Sequence, residues 1–95
     1  MANLFRHSIP DHVADIVRSL YPDLKRSVRA ALDEIARNPE CGEPLRGELE
    51  GYRKYKVRRF RIVYAIDKKH HMVRIMAVAH RRAVYEEFAA QLKKS

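Results

Sequence analysis

The stretch that most constrains this chain is GYRKYKVRRFRIVY, Gly51 to Tyr64. Six basic side chains fall within nine residues: Arg53, Lys54, Lys56, Arg58, Arg59 and Arg61. Aromatic and β-branched residues are threaded between them, a mixture with β-propensity. Alternation suits a pleated strand, in which successive side chains point to opposite faces. Tyr55 and Val57 then face one way, and Lys54, Lys56 and Arg58 the other. A sheet face that carries a row of cations is built to meet anions, and a phosphodiester backbone supplies them in a matching row.

The charge is unevenly placed. Residues 51–82 hold eleven Lys/Arg against one acid, Asp67, and the other residues hold nine against eleven. Such segregation points to a polyanionic partner, and a merely solvated basic face is the simpler rival reading. Ninety-five residues, 46% hydrophobic, suit a single domain, residues 1–95, with a modest core. No stretch approaches the ~20 apolar residues of a membrane span, and Met1 to Pro10 lacks the apolar run of a secretory signal. The expectation is a cytoplasmic protein without a membrane partner. One cysteine, Cys41, rules out an internal disulfide and a cysteine-cluster zinc site. It sits in the loop PECGEP with no activating partner in sequence and reads as an inert thiol.

Asn3 to Ile9 is a strand candidate closed by Pro10. Asp11 is a helix-start signal, followed by Val13, Ile16, Val17 and Leu20 at helical spacing. Pro22 interrupts, and a second helix sets Leu24, Val28, Ala31, Leu32 and Ile35 on one face until Asn38-Pro39 ends it. Pro39 to Gly51 reads as irregular. Three strands follow, Tyr52 to Val57, Phe60 to Ile66 and Met72 to Ala79. Arg58-Arg59 is the first turn and Asp67 to His71 the second; connections this short make the neighbours antiparallel. A last helix, Val84 to Lys93, aligns Val84, Phe88 and Leu92. The order β-α-α-β-β-β-α predicts a compact α+β domain, with an antiparallel main sheet and helices on one face.

Nucleotide-loop, zinc-protease and serine-hydrolase motifs are absent. Adjacent His70-His71 on a turn is a poor chelate, and the basic region has no paired carboxylates for a two-metal site. No cofactor and no metal are expected. What remains is cations, one tyrosine and one histidine: AVAHRRAVYEEF places His80, Arg81 and Arg82 after the third strand and Tyr85 at the start of the last helix. Metal-free RNA cleavage needs the 2′-hydroxyl deprotonated, the phosphorane's charge stabilised and the leaving 5′-oxygen protonated. Guanidinium forks suit the second task. A lysine crowded by arginines gives up its proton more readily and suits transfer, and tyrosine can stack on a base or hydrogen-bond the attacking hydroxyl. Each has a purely structural counterpart: Tyr85 as a packing aromatic, Arg61 as a solvated side chain, His80 as a strand-end residue bonded to backbone.

LRG at Leu45 to Gly47, YKV at Tyr55 to Val57, FRIVY at Phe60 to Tyr64 and AHRRAVY at Ala79 to Tyr85 together resemble the RelE family of the RelE/ParE toxin superfamily. The resemblance follows the element order over essentially the whole chain. It implies a bacterial toxin with a RelE-like, microbial-RNase-like fold that enters the ribosomal A site and cleaves mRNA without a metal. It also implies a cognate antitoxin, usually encoded beside the toxin, whose extended or helical segment wraps it. Carried over by position, the family's strand lysines fall on Lys54 and Lys56, its arginines on Arg61 and Arg81, and its tyrosine on Tyr85. The lysine placement needs a one-residue gap, which makes Arg53 a substitute for one of them, and the Arg58-Arg59 turn lacks the glycine often found there. His80 stands where some members carry lysine and is a further catalytic candidate. Arg53, Arg58, Arg59, Lys68, Lys69 and Arg82 are expected to grip mRNA or rRNA phosphates. Two other readings stay open: a ParE-like inhibitor of DNA gyrase on a related scaffold, and a non-catalytic RNA- or ribosome-binding module.

Overall fold

The structure, a computed structural model, describes residues 4–94. Strand β1 (Arg6–Ser8) is followed by helices α1 (Asp11–Ser19) and α2 (Pro22–Arg37). Then come the two-residue strand β2 (Glu43–Pro44), strands β3 (Tyr52–Val57), β4 (Phe60–Asp67) and β5 (Met72–His80), and helix α3 (Val84–Lys94). The expected order is borne out, with β2 added inside the segment read as irregular. Single 3-10 turns at Pro39–Cys41 and Gly47–Leu49 flank it. The first strand is shorter than expected, and Asn3 lies outside the described residues.

Pro22 does not so much break a helix as start one: it occupies the first turn of α2, where its missing N–H costs nothing. Asp11 and Asp23 stand in the first turns of α1 and α2, and Arg18 and Arg37 in the last, each complementing the helix dipole.

The sheet order is β1-β5-β4-β3-β2. β2 to β5 are antiparallel throughout, and β1 joins β5 in parallel, so the sheet is mixed. Its two faces hold separate cores. On one, Val13, Val17, Val28, Ala31, Leu32 and Ile35 of α1 and α2 pack on Val57, Ile62, Tyr64, Val73, Ile75 and Val78. On the other, Val84 and Phe88 of α3 pack on Val63, Ala77 and Ala79. The expectation of helices on one face therefore holds for α1 and α2 and is corrected for α3. Helical periodicity shows that a helix has an apolar stripe, but not which side of a sheet receives it. Complete burial of side chains of this size stabilises by about 1.5–3 kcal/mol each, enough to fix α3 in place.

A register shift in β4–β5 sets that second face. Tyr64 pairs with Ile75 and Val63 with Ala77, so Met76 is an extra residue in β5. This bulge reverses the alternation beyond it and turns Ala77 and Ala79 toward α3. In the central strand β4, Tyr64 is fully buried; its hydroxyl donates to the Pro39 carbonyl (2.6 Å) and accepts from the Gly42 N–H (2.9 Å). That pins the loop before β2 to the sheet. Gly42 is required there, because a Cβ would lie 2.4 Å from the Tyr64 hydroxyl and 2.9 Å from the Lys54 carbonyl oxygen.

Candidate active site

Register alone assembles the basic row. Lys56 pairs with Arg61, Arg61 with Ala79, and Lys54 with Val63. Paired residues share a face, and neighbouring strands lie about 4.8 Å apart. Lys54, Lys56 and Arg61 therefore project from the α3 side of the sheet, while Tyr55 and Val57 pack toward α1 and α2. Ala77 and Ala79 form a buried floor beside them, covered by α3. Helix α3 buries Val84 against that floor, which leaves the next residue, Tyr85, 44% exposed in the helix's first turn on the same side.

The Arg58–Arg59 turn is tied to two other site residues. The Arg61 guanidinium donates from Nη1 to the carbonyls of Arg58 (3.0 Å) and Phe60 (2.8 Å), which leaves its other N–H groups for a ligand. The backbone N–H of Arg81 donates to the Arg59 carbonyl (2.7 Å), holding the end of β5 against the turn. Exposed Arg58, Arg59, Arg81 and Arg82 thus cluster at one end of the sheet. Their carbonyl and amide anchors are internal, and their charged ends are free to meet phosphate.

Several expected residues stand elsewhere. Arg53 pairs with Tyr64 and shares its face; its guanidinium donates to the carbonyls of Glu40 (3.1 Å) and Gly42 (2.7 Å). It is a brace for the loop, and it does not substitute for a site lysine. Lys68 and Lys69 lie at the β4–β5 turn, at the opposite end of β4 from Arg58–Arg59, and Lys68 pairs with Glu40 (3.9 Å). His80 pairs with Phe60 in the register, away from Arg61 and Ala79. Its ring meets the Phe60 ring edge-on at 6.0 Å, and its Nδ1 accepts the Arg82 N–H (3.2 Å). The strand-end reading of His80 is the one the geometry supports.

The remaining titratable groups belong to the scaffold. His70 bonds Asp67 (2.8 Å), whereas His71 stacks on Phe5 at 3.9 Å, so the adjacent histidines face different partners. Arg74, and after it His70, hold the Asp67 carboxyl well below the usual carboxylate range. Burial pushes the Cys41 thiol up, the reverse of what a nucleophile needs. One feature of the face had no signal in sequence: Glu43 pairs directly with Lys54 across β2–β3, with its carboxylate 3.8 Å from Nζ. Nothing in a Pro/Gly loop announces a two-residue strand.

Residues 5–85 match the family model described as ParE toxin of type II toxin-antitoxin system, parDE. The chain is 39% identical over 85 residues to Toxin RelE of Mycobacterium tuberculosis, a match covering 80% of this chain and 87% of that protein. Among solved structures, it is similar to a chain of a RelBE toxin–antitoxin complex from Mycobacterium tuberculosis, with a TM-score of 0.72 and 28% identity over 82% of this chain and 92% of that one. An arginine double mutant of E. coli toxin RelE in the free state shares the fold, with a TM-score of 0.78 at 20% identity over 96% and 97% of the two chains. Family match, relative and fold agree, and the chain belongs to the ParE/RelE family of type II toxin–antitoxin toxins.

Proposed function

We propose that this toxin is a ribosome-dependent endoribonuclease that cleaves mRNA in the ribosomal A site, with no ion required. The observation that carries this reading is the shared face of Lys54, Lys56 and Arg61, closed at one end by Arg81 and Tyr85. A scissile phosphate held between Lys56 and Arg61 has guanidinium and ammonium groups around it. In the reaction, the 2′-hydroxyl loses its proton as its oxygen bonds to phosphorus. The bond from phosphorus to the 5′-oxygen breaks, and that oxygen takes up a proton, leaving a 2′,3′-cyclic phosphate and a 5′-hydroxyl. Arg61 and Arg81 stabilise the phosphorane, whose charge is greatest in the transition state. Lys54 and Lys56 bind phosphate oxygens and serve proton transfer, while Tyr85 hydrogen-bonds the attacking hydroxyl or stacks on the base. His80 has no part in the reaction, and Arg58, Arg59 and Arg82 add phosphate contacts.

Induction in cells tests this. Messenger RNA is cut within codons on ribosomes, naked RNA is left intact, and Tyr85→Phe or Arg81→Ala relieves toxicity by about tenfold or more at equal expression, the scale of a lost transition-state contact. Full toxicity of both variants overturns the assignment. The match to the ParE model favours one rival, gyrase inhibition. Intact mRNA with supercoiling defects and a DNA-damage response decides for that rival.

The partner that silences the toxin is a cognate antitoxin. The support is the similarity to a chain of the solved RelBE toxin–antitoxin complex from Mycobacterium tuberculosis. No described helix is long and apolar enough to cross a membrane, and ribosomal mRNA as substrate places the activity in the cytoplasm.

A further inference from the structure

Among the described residues, Glu43 is the one carboxylate paired with a cation of the site. Its position is built. β2 sets Glu43 directly opposite Lys54 and on the same face. The backbone on either side is held by the Gly42 N–H to the Tyr64 hydroxyl (2.9 Å), by Arg53 to the Gly42 carbonyl (2.7 Å), and by the Leu45 N–H to the Tyr52 carbonyl (2.9 Å). Pro44 stiffens the next residue. Such a backbone keeps the base of the Glu43 side chain opposite Lys54.

The consequence concerns what the lysine can bind. Lys54 is the more covered partner, with its side chain 27% exposed against 63% for Glu43. A phosphate reaching Lys54 therefore meets a carboxylate already beside it, 3.8 Å from Nζ. We infer that Glu43 is a resident counter-ion of the phosphate site, and that it weakens capture of loose single-stranded RNA by holding Lys54 until a well-placed phosphate displaces it. This makes Glu43 a specificity-determining residue, and the inference rests on the phosphate-binding reading of the face.

The test is binding of a short fluorescent single-stranded RNA across a salt series, which requires no cleavage. Glu43→Gln keeps the shape and removes the charge. It should tighten binding about threefold at low salt, the scale of an exposed ion pair. It should also steepen the salt dependence by about 0.7 in the log–log slope, the increment of one freed phosphate contact on a single strand. In a Lys54→Gln background the same change should have no such effect. Glu40→Gln, which frees Lys68 at the far end of the sheet, should leave the slope unchanged. An equal gain from Glu40→Gln, or a gain from Glu43→Gln that persists without Lys54, overturns the inference and leaves the phosphate face standing. Wild-type binding that does not respond to salt overturns both.

Discussion

Tyr64 shows how one side chain carries structural weight that composition does not display. Its ring belongs to the core beneath α1 and α2, and its hydroxyl bridges Pro39 and Gly42 at the edge where β2 begins. Burial pushes its pKa up from the ordinary 10.0 to about 12, with the Gly42 hydrogen bond acting the other way. A group whose folded pKa is raised contributes stability in full below its unfolded value and loses it as pH climbs through the folded one. The difference in stability between wild type and Tyr64→Phe should therefore be constant below about pH 10 and shrink between pH 10 and about 12. Below that window, Tyr64→Phe should cost about 1–3 kcal/mol, because the Gly42 N–H loses its buried acceptor. Urea denaturation of both proteins at several pH values checks this, and a pH-independent difference would show that the phenol is not held neutral by the fold.

Among elements, the β3–β4 turn is the most informative. Two residues join strands whose last pair is Val57 with Phe60, and Arg58 takes φ 55°, in the left-handed region that L-residues avoid. A glycine would sit there without strain. An arginine at this point keeps a charge at the open end of the basic face, and the Arg61 guanidinium holds its carbonyl. Arg58→Gly should thus separate stability from binding. Thermal unfolding should show a gain of roughly 0.5–1 kcal/mol from the relieved conformation, while association with ribosomes weakens. A variant that gained stability and kept full ribosome affinity would remove Arg58 from the phosphate contacts. Sequence reading located this turn and the strands on either side, because alternation is steep there. It also gave the bounds of α3 to within one residue, yet put the helix on the same face as α1 and α2, which the structure corrects. Val84 and Phe88 settle that only when Val63, Ala77 and Ala79 are turned to meet them.

The whole molecule is electrically two-sided along its length: eleven of its Lys/Arg lie in residues 51–82 with a single acid for company. If the proposed function holds, a face so charged releases counterions on contact with RNA. Ribosome association should therefore weaken at least about tenfold between low and physiological salt; affinity indifferent to salt would mean that some other surface makes the contact. The linear chain by itself determined the α+β class, the three long strands and the row of cations, because periodicity and charge are properties of neighbours in sequence. It also carried Arg61, Arg81 and Tyr85 as a group, through the resemblance to a family. Only the folded structure decided which cations share a face. Arg53 and His80 were excluded by register, Lys68 and Lys69 by distance along β4, and Glu43 was admitted by a strand too short to have a pattern. The physical reason is the same throughout: a single-residue step, whether a bulge at Met76 or one place in a strand pairing, moves a side chain to the opposite side of a sheet, and that step is set by packing between distant segments.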